Sequence, residues 1–495
     1  MQLRKGLSLF LAGMIAAQIV ACGSQESGGS GTSAPDSSSD ITEFESTALK
    51  APDLPEVDME NKVFNFLTQG WANYSPLDIT NIAVAEQNGE ILNDTAFRRN
   101  SSIQEKYNCV ITETYDAAGG NEAVNKLNNA VMSGENLYDA AIIRSRYFNS
   151  LITSGNLTDL SIIPYLRLDS DYYISQSYDS LEIDGSHYGI VSNISMNPYL
   201  LIFCSYFNKV MLDEYKFEDM YDLVRSGKWT IDKMYEMSKL VAADLNNDGI
   251  YDSKDQYGTV YIIDLTEGFI NSSGIKLAEA KNGKIEKTYN SQTAIDKMQH
   301  IFDILSDKSS TFNVHARGGT AKEVNILETG MFIEGQTLFS LAGIYYAPQF
   351  RDMNDDFGII PLPKYDEEQD DYISPVFSNV FPITVVPRSN NQLEWTGIIL
   401  EEMSYRGYTD LLPALYETVL SGKCARDEDS VEMLDIIFSN TSYDIGMIFD
   451  FGGVRTEIRN ILHTLDGNFA STFASIDSKV DANIEELIKA IKDNK

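Results

Sequence analysis

Between Lys62 and Arg144 short apolar strands and helix-periodic segments take turns, and this alternation limits the possible fold more than any other feature. Lys62–Thr68 (KVFNFLT) reads as a strand. Ile91–Asn100 opens a helix that ends near Lys106. Cys109–Thr114 is a strand, Glu122–Met132 a helix and Tyr138–Arg144 a strand. Strands separated by helices line up in parallel, with helices on both faces of the sheet. The expected class is α/β. About 450 residues remain once an N-terminal segment is set aside, too many for one compact core, so two lobes are expected.

That N-terminal segment reads as an address. Arg4 and Lys5 precede an apolar stretch from Leu7 to Val20, too short for a typical membrane-spanning helix. It ends Ile19-Val20-Ala21-Cys22-Gly23, which resembles a bacterial lipobox. Residues 1–21 are then a signal peptide and Cys22 the lipidated residue; the plain alternative is an ordinary signal peptide with a chance cysteine. Residues 22–50 begin rich in Gly, Ser and Asp and read as a flexible tether. No other stretch is long and apolar enough to cross a membrane. The expected location is the outer face of the bacterial cytoplasmic membrane, with the lipid as the only membrane contact.

A net charge of −35 argues against electrostatic binding of nucleic acid or anionic lipid. There are four cysteines. With Cys22 lipidated, Cys109, Cys204 and Cys424 are left, an odd count that argues for free thiols over a disulfide framework.

Lys228–Gly258 holds the most specific local pattern. Ile231, Met234, Met237, Leu240 and Val241 recur at helical steps, with Asp232 in the first turn. The helix runs into Asp244-Leu245-Asn246-Asn247-Asp248-Gly249-Ile250-Tyr251-Asp252-Ser253-Lys254-Asp255. Oxygen ligands at this spacing, with Gly at the sixth place, suit a structural Ca2+. Asp244, Asn246 and Asp248 would give side-chain oxygens, Ile250 its carbonyl, Asp252 a water-mediated contact and Asp255 the closing carboxylate. Asp255 stands where an EF-hand has Glu. The other reading is an Asx-rich turn whose side chains bond their own backbone.

Tyr206-Phe207-Asn208-Lys209, Gly227-Lys228-Trp229-Thr230 and Asp255-Gln256-Tyr257-Gly258, in that order, resemble the extracellular solute-binding proteins of bacterial ABC importers. The sugar-binding, maltose-binding-protein-like group is the nearest. The resemblance implies a two-lobed periplasmic-binding-protein-like fold with two mainly parallel sheets. It implies lobe 1 at 51–200 plus 336–405 and lobe 2 at 201–335 plus 406–495. The crossings it implies are Tyr199–Asn208, Phe332–Phe339 and Val380–Val386. It also implies ABC permease subunits and their ATPase as partners, and a monomer.

Sugars present hydroxyls at the ring edge and C–H groups on the faces, so a site wants flat aromatics and paired polar groups. The candidates are Trp71, Tyr74, Tyr173, Tyr188, Tyr345 and Tyr346, with Arg99 as polar partner; core or surface packing is the alternative for each. Trp229 and Trp395 read as core residues. The expected function is capture of a sugar or oligosaccharide without chemistry. The rivals are a secreted carbohydrate-active hydrolase, which would place two carboxylates across a cleft, and a peptide-binding lipoprotein of the same shape. No G-x-S-x-G, H-E-x-x-H or P-loop occurs.

Overall fold

The first sheet forms as the alternation requires. β1 (Lys62–Gln69), β2 (Cys109–Asp116) and β3 (Ala140–Arg144) run parallel, with α1 (Ile91–Tyr107) and α2 (Glu122–Ser133) between them. α2 shows why: Ala123, Val124, Leu127 and Ala130 make one buried stripe. Gly134, in left-handed backbone, then ends the helix. After β3 comes the short helix α3 (Phe148–Thr153). The computed structural model describes residues 49–70, 82–117, 121–281, 284–317, 321–351, 353–420, 428–465 and 468–494. The lipobox with Cys22, Cys424, Trp71 and Tyr74 lie outside them.

The second sheet begins with β4 (Phe203–Asn208), every residue of which is buried. α4 (Ile231–Val241) follows, capped by the Thr230 hydroxyl, which accepts from Lys233 N at 3.2 Å. Ile231, Met234, Met237 and Val241 are buried as the periodicity predicts, but Leu240 is exposed. Then come β5 (Tyr257–Tyr261), α5 (Asp264–Ser272), the ribbon β6 (Ala278–Lys281) and β7 (Lys284–Lys287), and α6 (Gln292–Leu305). β8 (Thr311–Asn313), α7 (Ala321–Ile333), β9 (Thr337–Gly343) and β10 (Phe357–Ile360) complete the sheet, whose order is β10-β4-β9-β5-β8. Trp229 is core, as expected, its indole N–H donating to Pro361 O at 3.0 Å.

β11 (Ser374–Pro375) precedes β12 (Pro382–Val385), which returns antiparallel to β3 and gives the first sheet the order β12-β3-β1-β2. α8 (Leu393–Arg406) and the helix Leu412–Leu420 pack on α1. The helix Glu428–Ser439 packs on β10. Then come β13 (Thr441–Ser442), the short helix Ile445–Phe449, α9 (Val454–Thr464) and α10 (Phe469–Asn494). Pro52–Lys495 forms one compact unit containing both sheets.

The expected boundaries therefore shift. Phe332–Phe339 is no crossing: β9 pairs parallel with β5 and antiparallel with β4, inside the second sheet. Thr337–Ile360 belongs with that sheet, and the chain regains the first sheet only at Pro382. Residues 406–420 stay with the first sheet's helices. The resemblance implies that crossing from chain order, whereas strand pairing decides which sheet a segment enters.

The links between lobes lie side by side. Ile190 pairs with Thr384 and Ile202 with Val376, both antiparallel, and β11 pairs in parallel with β13. Phe203 stacks on Phe377 with ring centres 3.9 Å apart. Short adjacent segments of this kind form a hinge.

Candidate functional site

Strand direction locates the facing surfaces. Ile344 N, just after β9, donates to Ile202 O at 3.0 Å, so the carboxyl end of β9 lies at the crossings. β5 and β8 are parallel to β9 or to each other and end on the same side. In the first sheet Pro382, at the end of a crossing, pairs with Arg144, the last residue of β3. The carboxyl ends of the parallel strands of both sheets thus face each other across the hinge, where open α/β sheets hold ligands.

On the first lobe this edge offers Gln69, Arg144 and Ser145. Arg144 is buried; its guanidinium donates to Gly70 O and its backbone N–H to Gln69 Oε1 at 3.1 Å. Burial, with a smaller push from nearby Arg146, lowers its pKa to about 10. On the second lobe the corresponding edge is acidic. Asp264 opens α5 directly beyond β5, and Glu267 follows one turn on. Arg459 of α9 pairs with Asp264 and lies 3.8 Å from Glu267. Arg455 pairs with Asp450 at 3.5 Å, and its Nη1 has no hydrogen-bond partner. Burial pushes the Glu267 carboxyl up to about 7 against the pull of Arg455. Glu328, buried in α7, accepts from the Tyr346 hydroxyl at 2.9 Å with one oxygen while the other has no partner. Its pKa rises to about 8, again through burial.

The expected site residues divide. Tyr345 and Tyr346 stand together just past β9, ring centres 4.4 Å apart and both as buried as the other tyrosine candidates, with Tyr345 also 6.0 Å from Phe377 of the second crossing. Arg99 is only 1% exposed and turned inward, Nη1 donating to Ile194 O at 2.6 Å and Nε to Asn100 Oδ1 at 3.0 Å. It braces the first crossing from α1. Tyr173 is buried, its hydroxyl donating at 3.0 Å to Glu401 of α8, and Tyr172 donates to the same carboxylate. Tyr188 is buried two residues before the Ile190–Thr384 pair. Sequence reasoning missed Arg144, Asp264, Glu267, Glu328, Arg455 and Arg459. For Arg144 the signal was present, since it ends a predicted strand.

The Asp-rich loop is closed on itself. Asp244 Oδ2 accepts from Gly249 N at 2.8 Å, Asn246 Oδ1 from Asp248 N at 2.8 Å, Asp248 Oδ1 from Ile250 N at 2.7 Å and Asp252 Oδ1 from Lys254 N at 2.8 Å. Asp255 is fully buried and takes Leu245 N and Asp252 N, one on each oxygen. Asp244 Oδ1 is a buried oxygen without a partner. Among the described residues no group of three or more His, Cys, Asp or Glu is arranged to hold a metal ion. The hard oxygen donors at positions 244, 246 and 248 suit calcium, but Asp255 would have to give up a backbone contact to join them.

The lobes also meet away from the crossings. Asp179, Glu182 and Asp184 of the first lobe and Lys281 and Lys284 of the second line one cavity of about 250 Å³. The helix Ile445–Phe449 rests on residues 145–147, with Phe148 and Phe449 rings 5.7 Å apart.

No family model matches the chain, and no curated protein matches its sequence. Solved structures do match. The galacto-N-biose/lacto-N-biose I-binding protein of an ABC transporter from Bifidobacterium longum, in complex with lacto-N-biose, superposes with a TM-score of 0.56 at 12% identity, over 87% of this chain and 98% of that one. An ABC substrate-binding protein from Listeria monocytogenes in complex with cycloalternan gives 0.53 at 15%, over 87% and 99%. The GacH receptor of Streptomyces glaucescens, solved unliganded and with acarbose, gives 0.53 at 14%, over 88% and 100%. The fold is the two-lobed solute-binding-protein fold. These similar structures belong to binding proteins, and no helix among the described residues is long and apolar enough to cross a membrane.

Proposed function

We infer that the protein is the extracellular solute-binding component of an ABC importer, taking a sugar or oligosaccharide between its lobes and handing it unchanged to a permease. The observation that carries this reading is that the parallel strands of both sheets end towards the crossings, which puts Arg144 at the end of β3 on one lobe and Asp264 and Tyr345 just past β5 and β9 on the other. Carboxylates and guanidinium groups beside a tyrosine pair are what hydroxyl-rich rings require. The sugars bound by the similar structures support the same class of guest. Cys22 would anchor the chain to the outer face of the membrane by lipid alone, and one chain suffices for capture. The loop from Asp244 to Asp255 would hold calcium as a structural ion, outside the capture step; the partnerless Asp244 oxygen supports this.

Closure needs the guest to bind the closed arrangement better than the open one. Calorimetry with maltooligosaccharides, lacto-N-biose and cycloalternan, followed by mass analysis of the recovered sugar, tests the reading. Saturable binding with intact sugar is expected. Cleaved sugar would favour a hydrolase, and binding of peptides alone would favour a peptide carrier.

A further inference from the structure

The helix α10 touches both lobes. Its first half is fixed to the second lobe. Phe469 and Phe473 are buried, their rings 6.3 Å from Phe302 and 4.9 Å from Tyr289. Asp477 accepts from Lys287 Nζ and the Tyr289 hydroxyl, both at 2.9 Å, and Asp481 pairs with Lys287 at 2.7 Å. In the middle, Val480 lies against Gly452, where a Cβ would come within 2.5 Å of it. Asn483 Oδ1 accepts from Gly452 N at 2.9 Å.

The second half reaches the first lobe. Leu487 and Ile491, on the same helix face as Val480, are fully buried, and the helix packs on α3. At its end Asn494 Nδ2 donates to Ile152 O at 3.1 Å. Gly155, with φ of +70°, lies so close that a Cβ there would stand 2.7 Å from Asn494 Oδ1. At 1.5 Å per residue a helix of 26 residues spans roughly 39 Å. It therefore forms a link between the lobes that is separate from the two crossing segments.

The two ends are unequal. The second-lobe end combines buried rings with an ionic cluster. The first-lobe end has apolar packing and one amide bond. A hinge motion that separates α3 from the second lobe must break the weaker end. We propose that α10 is a releasable strap: it stays with the second lobe, lets go of α3 when the lobes part and re-docks when they close. It thereby sets how far the guest-free protein favours the closed arrangement. This goes beyond solute capture and does not depend on the guest being a sugar.

The test uses guest-free protein and small-angle X-ray scattering. Ile491→Asp puts a charge into the α3 contact; the radius of gyration should rise, with a retained cooperative melt. In the double variant Gly155→Cys, Asn494→Cys, close approach allows a disulfide. Oxidised, it should scatter as the more compact form, and reduction should return it toward the wild-type profile. If Ile491→Asp folds with an unchanged radius, the proposal is overturned. If Ile491→Asp does not fold, the double variant decides: identical oxidised and reduced profiles overturn it. Because no guest is present, neither result bears on the sugar reading.

Discussion

Two acidic regions of the second lobe are built in opposite ways. In the loop Asp244–Asp255 most carboxylate and amide oxygens accept from backbone N–H groups of the loop itself, and most of its residues are exposed. Around Asp264, Glu267 and Glu328 the carboxylates are buried or half-buried. They rely on side chains from other elements, Arg459 and Tyr346, and one Glu328 oxygen is left without a partner. The loop's acids shape a turn. The acids beside β5 and in α7 are held by side chains of other elements, and Glu328, like Asp244 in the loop, keeps one oxygen without a hydrogen-bond partner.

The largest effect should come from removing the cation of the interlobe group. Arg459→Ala leaves Asp264 without its guanidinium and buried Glu267 with Arg455 alone; it should cost about 2 kcal/mol of stability, discounted for partial exposure. Sugar affinity by calorimetry should fall at least tenfold. The matching change in the loop, Asp244→Ala, should leave sugar affinity unchanged. Equal losses from both would erase the contrast.

Next comes pH. Glu328, at about 8, and Glu267, at about 7, are held above the ordinary carboxylate value of 4.5. The folded state then binds more protons than the unfolded one between those limits. The stabilisation is complete below about 4.5 and is lost as pH rises through 7 to 8. Melting temperature should fall across this window. Glu328→Gln, a neutral stand-in, should flatten the fall at its upper end; a parallel curve would place the sensitivity elsewhere.

A smaller effect separates the tyrosines. Tyr345→Ala should weaken sugar binding by about 1–3 kcal/mol. Tyr173→Ala, which removes a partner of buried Glu401, should lower the melting temperature and leave the residual affinity of the folded protein unchanged. The reverse pattern would move the guest into the first lobe. The smallest effect belongs to the loop: calcium should raise the melting temperature by a few degrees, and Asp244→Ala should abolish that rise.

Much of the architecture was legible. Alternating strands and helices from Lys62 to Arg144 dictated a parallel sheet, and the stripe Ile231, Met234, Met237 and Val241 gave α4 its buried face. Neither periodicity nor the resemblance reports which strands pair, and the resemblance therefore implies a crossing where β9 lies inside the second sheet. The site was less legible for the same reason. Tyr173 and Arg99 suit a sugar by side-chain chemistry, yet their partners Glu401 and Ile194 are 228 and 95 residues away. Arg459 meets Asp264 from 195 residues along the chain. Nothing local marks such pairs.

The most direct test of lobe closure around an unaltered guest is small-angle scattering of the mature chain, titrated with a sugar that calorimetry shows to bind. The account predicts a smaller radius of gyration at saturation, with the sugar recovered at its original mass. An unchanged radius at full occupancy, or a sugar shortened by hydrolysis, would contradict it.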